Sequence, residues 1–166
     1  MQHPTPDPIR PGQESVWDYP RPAIAALTDA HLRILFDGKL LAETRNGVRT
    51  LETSHPPSYY FPPADVDSAM LALAGGSASM CEWKGQARYF DVVGPTKRAR
   101  RVGWAYPAPT PSFAMLRDHI AFYAGPMDAC FVNGEQVTPQ PGGFYGGWIT
   151  SAVAGPFKGP PGTQFW

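Results

Sequence analysis

Proline and glycine interrupt this chain so often that long regular elements are excluded. Twenty of the 166 residues are proline and 17 are glycine. Proline ends helices and cannot donate within a sheet, and glycine weakens both kinds of element, so the chain is divided into short segments. Several segments alternate apolar and polar side chains, as half-buried strands do. The sequence therefore predicts a mostly β domain of short antiparallel strands with one or two small helices.

Two dipeptides mark tight hairpin turns. Asp37-Gly38 and Asn133-Gly134 each stand between strand-like segments, and such dipeptides favour the type I′ turn of an antiparallel hairpin. The clearest helical spacing ends at Gly75-Gly76, where two glycines stop a helix. The predicted elements are strands at 31–36, 39–44, 48–52, 59–61, 79–93, 98–106, 120–124 and 128–132, and helical segments at 64–74 and 109–117.

The chain length fits one domain. We predict a disordered, proline-rich arm at 1–13 and a single β domain at 14–166. The last part of that domain, the tail at 139–166, holds seven glycines and five prolines but also six aromatic residues. Solvated linkers are poor in aromatics, so we expect the tail to wrap irregularly across the sheet or across a neighbouring subunit. The second arrangement would give a homodimer formed through the tail.

Charge and hydropathy exclude several classes of protein. The chain carries 14 basic and 14 acidic residues, so it lacks the basic excess of a general nucleic-acid binder. The basic cluster at 97–101 is interpreted as a solvated hairpin loop. No apolar run approaches the about 20 residues of a membrane helix, and no signal peptide pattern is present. We therefore expect a cytoplasmic protein with free thiols, no nucleic-acid partner and no membrane contact.

Metal and cofactor sites are not indicated by the sequence. Its four histidines, His3, His31, His55 and His119, are scattered, and the spacings CxxC, HxH and HExxH are absent. No glycine-rich phosphate loop of the GxxxxGK[ST] or GxGxxG type occurs. We expect neither a metal nor a cofactor.

The segment SMCEWKGQARYFDV, at 79–92, is the first candidate site. Alternation along one strand would place Cys81, Trp83 and Tyr89 on one face, and Glu82 and Lys84 on the other. Only a bulge near position 85 would then bring the Cys81 thiol and the Lys84 ammonium together. Cys81 is accordingly predicted to be a buried core residue. Glu82 and Lys84 form either a solvent-exposed ion pair or, if their face lines a concave sheet, an anchor for a ligand.

The segment LETSHPPSYYFP, at 51–62, is the second candidate site. Glu52, His55 and Tyr60 stand on a stretch stiffened by Pro56-Pro57. Ionisable side chains held rigidly beside tyrosines suit the binding of a small polar ligand. The alternative is an ordinary turn with its tyrosines in the core.

Five runs of the sequence carry a family resemblance: LETSHPPSYY, CEWKGQARYFDV, GWAYPAP, HIAFY and PQPGGFYGGWITSAVAGPFKGPPGT. Together they resemble the domain of unknown function family 427 over 14–166. The resemblance implies a compact antiparallel domain of the β-tent kind. Several β-tent relatives carry structural zinc, which we do not expect here because paired cysteines are absent. The family is also catalogued as a nucleotidyltransferase, but no carboxylate pair follows the GGS at 75–77 to hold magnesium.

The resemblance also implies a pocket, because the recurrent positions of the family come from three separate segments. It implies Glu52 and Lys84 as a charged pair, with Trp83, Trp104 and Tyr106 nearby. Strand alternation places Trp83 on the opposite face, where it would support the pocket and not line it. The function we expect is a metal-independent acid–base enzyme acting on a small anionic or carbonyl-bearing metabolite. The alternative is a non-catalytic ligand-binding or dimeric interaction module. The predicted catalytic residues are Lys84, Glu52 and His55, and the predicted ligand-binding residues are Tyr60, Glu82, Trp83, Tyr89, Trp104 and Tyr106.

Overall fold

Short strands make up most of the regular structure in the computed structural model, which describes residues 3–76, 78–81 and 83–166. The expectation of a mostly β domain is confirmed. The strands are β1 (Glu14–Ser15), β2 (Ile24–Thr28), β3 (Leu32–Phe36), β4 (Lys39–Thr44), β5 (Gly47–Leu51), β6 (Ser58–Phe61), β7 (Leu71–Leu73), β8 (Ser79–Cys81), β9 (Gly85–Val93), β10 (Arg98–Ala105), β11 (Ile120–Phe122), β12 (Ala129–Val132), β13 (Glu135–Gln136), β14 (Thr138–Pro139), β15 (Trp148–Ile149) and β16 (Val153–Ala154). The helical segments are 3-10 turns at Val16–Asp18, Pro63–Asp65, Ser68–Met70 and Pro111–Leu116.

Two antiparallel sheets form the body of the domain. The larger sheet has the order β2-β5-β6-β11-β10-β9-β7, and β8 also pairs with β9. The smaller sheet has the order β13-β12-β3-β4. Two further strand pairs lie apart from them, the antiparallel pair β14–β15 and the parallel pair β1–β16.

Both predicted hairpin turns are confirmed. Asp37 and Gly38 have φ values of 52° and 75° and join β3 to its partner β4. Asn133 and Gly134 have φ values of 50° and 81° and join β12 to β13. A positive φ at two successive residues is what the type I′ turn requires, and Asn, Asp and Gly adopt it most readily.

Apolar side chains cover both faces of the larger sheet, and alternate residues of β6 contribute to each face. Tyr59 and Phe61 point into one apolar core, whereas Tyr60 between them points into another. This alternation is the ordinary two-residue period of a strand. The first core lies against the smaller sheet and includes Leu32, Ile34, Phe36, Phe122 and Trp148. The second core lies on the other face and includes Tyr60, Trp104, Tyr106, Phe113 and Leu116.

The tail packs across its own chain. Trp148 is 1% exposed within the first core, and its indole N–H donates to the Phe122 carbonyl at 3.0 Å. Strand β16 of the tail pairs with β1 near the start of the chain. Residues 3–13 contain no strand or helix, and the Asp7 amide donates to the Gly155 carbonyl at 2.8 Å.

The predicted helix at 64–74 is wrong. The segment consists of two 3-10 turns followed by β7, which pairs with β9. Between the turns Val66 is extended, with φ −113° and ψ 135°, and it forms an antiparallel bridge with Ala42. Pairing with residues distant in sequence therefore outweighed a local helical pattern of only four apolar positions.

Candidate functional site

An open cavity of about 450 Å³ lies on the second-core face of the larger sheet. Its floor comes from β6 and β10, one wall from the β8–β9 hairpin, and another wall from the tail between Gln140 and Gly146. The loop after β5 adds Glu52 and His55. The volume falls within the range of about 300–1,000 Å³ that small-molecule sites occupy.

The chain reverses direction inside the first candidate segment, so the strand alternation predicted for it is wrong. Strand β8 ends at Cys81 and β9 begins at Gly85, and these two residues are paired. Trp83 and Lys84 therefore lie in a hairpin turn instead of on opposite faces of one strand. Cys81, Trp83, Lys84 and Tyr89 all line the same cavity. Trp83 lines the site directly, and Glu82 lies outside the described residues.

Contacts from a later segment fix this turn. The Thr110 amide donates to the Lys84 carbonyl at 3.1 Å, and the Thr110 hydroxyl donates to the Trp83 carbonyl. Gly85 has a φ of +110°, and a Cβ at that position would lie 3.0 Å from the Ala108 carbonyl oxygen. Only glycine meets both demands without strain, so the turn that presents Lys84 depends on it.

The two thiols occupy different environments. Cys81 was predicted to be a buried core residue, but it is half-buried and lines the cavity. Cys130 is the deeply buried one, and burial raises the pKa of its thiol to about 12. Cys81 packs against the second core and also borders the open cavity, so it is only partly buried.

Glu52 and His55 are adjacent, and buried contacts fix the orientation of the imidazole. The His55 Nε2 lies 3.4 Å from a carboxylate oxygen of Glu52. On the other side of the ring, Gln140 Nε2 lies 3.1 Å from His55 Nδ1. The Gly147 amide donates to Gln140 Oε1 at 3.0 Å, so the amide nitrogen of Gln140 must be the group that faces His55. His55 Nδ1 is therefore an acceptor, and the proton of the neutral ring sits on Nε2, facing Glu52.

Burial and nearby cations set the protonation of this pair. Burial lowers the pKa of His55 to about 4, and the charges of Lys158, Lys84 and Arg21 act in the same direction. Burial raises the pKa of Glu52, while the same three cations oppose that rise, Lys84 most strongly. At neutral pH His55 is thus an uncharged hydrogen-bond donor. A carboxyl group with a raised pKa holds a proton more readily than an exposed one, which suits proton transfer.

Lys84 and Lys158 bring positive charge to this part of the cavity. The Lys84 ammonium lies 5.8 Å from the ring centre of Phe113, at the edge of the second core. The Lys158 ammonium lies 5.6 Å from the ring centre of Tyr145, which itself makes an edge contact with the His55 ring at 4.8 Å. The predicted charged pair, Glu52 and Lys84, therefore shares one cavity with His55.

Aromatic side chains form the rest of the lining. Tyr60 is 1% exposed, and its hydroxyl accepts from the Trp104 indole N–H at 3.2 Å. The Tyr106 ring centre lies 6.4 Å from that of Tyr60, and burial raises the pKa of both phenols, which stay protonated at neutral pH. Tyr89 lies on the hairpin wall, where its hydroxyl contacts that of Ser79 at 2.6 Å.

The sequence reasoning missed the wall that the tail provides. Gln140, Phe144 and Tyr145 line the cavity, and Tyr123 joins them through a 3.0 Å hydrogen bond from its hydroxyl to the Phe144 carbonyl. The signal was present in the run PQPGGFYGG, whose glycines allow close approach to other groups. A Cβ on Gly146, for example, would lie 2.2 Å from the Trp104 ring.

A family model described as "Domain of unknown function (DUF427)" matches residues 24–133. The chain belongs to this family. No curated protein matches the chain. The DUF427 match spans β2 to β12 and includes Glu52, His55 and Lys84, whereas Gln140 comes after its last residue.

Two negative observations apply to this DUF427 member. Across 3–76, 78–81 and 83–166, no three His, Cys, Asp or Glu side chains are grouped closely enough to hold a metal ion. The same ranges contain no helix with the length and apolar character needed to span a bilayer.

Proposed function

We propose that the cavity binds a small anionic or carbonyl-bearing metabolite and that the protein performs acid–base chemistry on it with its own side chains. One observation carries the proposal: a carboxyl group with a raised pKa, Glu52, faces a cavity that also contains the Lys84 ammonium and a neutral imidazole of fixed orientation. Perturbed ionisable groups that converge on a concave site are typical of acid–base catalysts.

Each of the three side chains has a distinct role in this proposal. The Lys84 ammonium pairs with an anionic oxygen of the ligand, or with the oxygen of a carbonyl group. Glu52 accepts a proton from the position next to that carbonyl, and the bonding electrons move onto the carbonyl oxygen, where Lys84 stabilises the charge. His55 directs its Nε2–H toward the Glu52 carboxylate and so orients that group. Return of the proton from Glu52 to another position would complete an isomerisation.

A non-catalytic binding protein is the second candidate function. The rigid aromatic lining favours it, since Tyr60, Trp104 and Tyr106 are each less than 10% exposed and form one packed layer. A preformed apolar lining with a few charged groups serves ligand binding equally well without chemistry. A homodimer through the tail stays a prediction, and the exposed ring of Phe165, at 62%, is its main support.

The test begins with the ligand itself. Native mass spectrometry of protein purified under mild conditions should show a retained metabolite, whose turnover is then measured. Lys84→Met should abolish binding while shifting the melting temperature by only a few degrees, because its ammonium is not part of the core. Lys39→Met makes the same chemical change on exposed β4 and is the matched control.

The remaining outcomes separate the two candidates. Glu52→Gln keeps the shape of the side chain and removes its ability to accept a proton. An enzyme should retain the ligand in this variant and lose turnover, whereas a binding protein shows no turnover in any form. Equal ligand retention by the Lys84→Met and Lys39→Met proteins would refute the role of Lys84.

A further inference from the structure

Several polar atoms of the aromatic lining already have partners in the protein, so the side chains that carry them offer mainly ring surface to the cavity. The Trp104 indole N–H is bound to the Tyr60 hydroxyl, and the Tyr123 hydroxyl is bound to the Phe144 carbonyl. The Tyr89 hydroxyl contacts Ser79. A ligand therefore meets carbon surface along these rings, and the charged groups near Glu52 are available for polar recognition.

The rings are also held in fixed positions. The Trp104 and Tyr123 ring centres are 4.8 Å apart with planes inclined at 52°, and Trp104 meets Tyr60 edge-on at 6.4 Å. Gly146 lies so close to Trp104 that a Cβ would fall 2.2 Å from the ring, which fixes the indole from the tail side. Flat surfaces at set inclinations complement a flat ring better than a puckered aliphatic one, through edge-to-face and offset contacts.

The mouth of the cavity adds two exposed apolar side chains. Met80 on β8 is 71% exposed, and Phe144 in the tail is 76% exposed. Both line this cavity, one on the hairpin wall and one on the tail wall. Large apolar side chains so exposed at a cavity mouth are available to cover the apolar part of a bound molecule. Methionine sulfur also makes favourable contacts with aromatic rings.

The sign of the local charge indicates whether a site lined by aromatic rings favours a cationic or an anionic ligand. Aromatic cages commonly bind cations such as quaternary ammonium groups. Here the charges of Lys84, Lys158 and Arg21 all act on the Glu52–His55 pair, so among the described residues the surroundings of this pair carry more positive than negative charge. A cationic ligand is disfavoured there, and a carboxylate or a polarised carbonyl is favoured.

We propose that the ligand is an aromatic carboxylate or aryl carbonyl compound, its ring against Trp104 and Tyr123 and its oxygen group near Lys84 and Glu52. This inference rests on the proposed function and narrows its substrate class from small anionic or carbonyl-bearing molecules in general to those with a planar ring. The Phe144 and Met80 side chains cover the outer edge of that ring.

Matched pairs of simple probes test the ring requirement. Calorimetric titration would compare benzoate with cyclohexanecarboxylate, and 2-naphthoate with decahydro-2-naphthoate, so that charge and size are held nearly constant within each pair. In at least one pair of probes the aromatic member should bind about tenfold more tightly. A tenfold difference in affinity is the upper end of what a contact between two aromatic rings contributes beyond the burial of apolar area. Equal affinity within both pairs overturns the ring requirement and leaves the proposed function standing. Failure of all four carboxylates to bind the folded protein overturns this inference, whereas the proposed function is judged by ligand retention in the Lys84→Met and Lys39→Met proteins.

Variants locate the effect in the cavity. Tyr123→Leu preserves an apolar side chain and should reduce the aromatic preference severalfold, whereas Phe165→Leu, on the exposed part of the tail, should leave it unchanged. Lys84→Met should weaken both members of a pair equally, because it removes the carboxylate partner and not the ring surface. Tighter binding of benzyltrimethylammonium than of benzoate would overturn the choice of an anionic ligand. An unchanged preference in Tyr123→Leu would overturn the placement of the ring.

Discussion

Mild acid should destabilise this protein through His55. The side chain is 12% exposed, and its pKa in the folded protein is about 4, against 6.5 for an ordinary histidine. Between these values the unfolded chain binds a proton that the folded protein does not. Stability therefore falls as the pH falls through this window, and the contribution of His55 is fully present only above about pH 6.5.

The size of the effect follows from the two pKa values. Linkage with pKa values of 6.5 and about 4 gives a loss of about 2 kcal/mol of unfolding free energy between pH 7 and pH 5. Glu52 acts in the opposite direction, because its raised pKa lets the folded protein take up a proton before the unfolded chain does. The net loss in the wild-type protein is thus smaller than the loss that His55 alone would cause.

Urea unfolding at pH 5, 6, 7 and 8 measures this contribution. The variant His55→Gln keeps a polar side chain without an ionisable group. The difference in unfolding free energy between wild type and variant should change by about 2 kcal/mol from pH 7 to pH 5 and stay nearly constant from pH 7 to pH 8. Repeating the comparison in a Glu52→Gln background removes the opposing titration. Parallel pH profiles for the two proteins in that background would refute the reasoning.

Three further perturbations test the surroundings of the site. Gly85→Ala should destabilise the protein more than Gly134→Ala, because both glycines have positive φ but only Gly85 faces a backbone oxygen at 3.0 Å; thermal melts would measure the difference. Trp148→Ala should cost about 3–5 kcal/mol in urea unfolding, because the side chain is buried in the first core. Gln140→Glu should raise the pKa of His55 as followed by NMR, because a carboxylate cannot donate to Nδ1 and instead favours the protonated ring.

Each of these three predictions would be contradicted by a specific measurement. Equal melting temperatures for the two glycine variants would show that the contact near the hairpin turn is unimportant. A loss below about 1 kcal/mol for Trp148→Ala would mean that the tail is not part of the first core. An unchanged histidine titration in Gln140→Glu would show that the amide does not control the imidazole.

The sequence alone specifies the features that depend on neighbouring residues. The turns at Asp37-Gly38 and Asn133-Gly134 follow from two adjacent residues that accept positive φ, so their positions are readable without the rest of the chain. The mostly β class follows in the same way from proline and glycine spacing and from alternation in short segments. A family resemblance, and not a pattern in the residues, predicts Glu52 and Lys84 as a pair.

The way those residues meet depends on tertiary contacts. The reversal between Cys81 and Gly85 is fixed by Thr110, which lies far along the chain, and the same reversal moves Trp83 and Lys84 into one cavity. The helical pattern at 64–74 gave way to pairing between β7 and β9 for a similar reason. In both places hydrogen bonds to distant backbone stabilise a conformation that the local pattern does not favour.

The chemistry of the candidate site depends on the same distant contacts. Gln140 lies 85 positions from His55, yet it fixes which ring nitrogen carries the proton. The low pKa of His55 arises from burial beneath the tail and from cations contributed by separate segments. Desolvation and charge are properties of the assembled surroundings of a group. The sequence can therefore name His55 and Glu52 as candidates, but their protonation at neutral pH is set only when the tail closes over them.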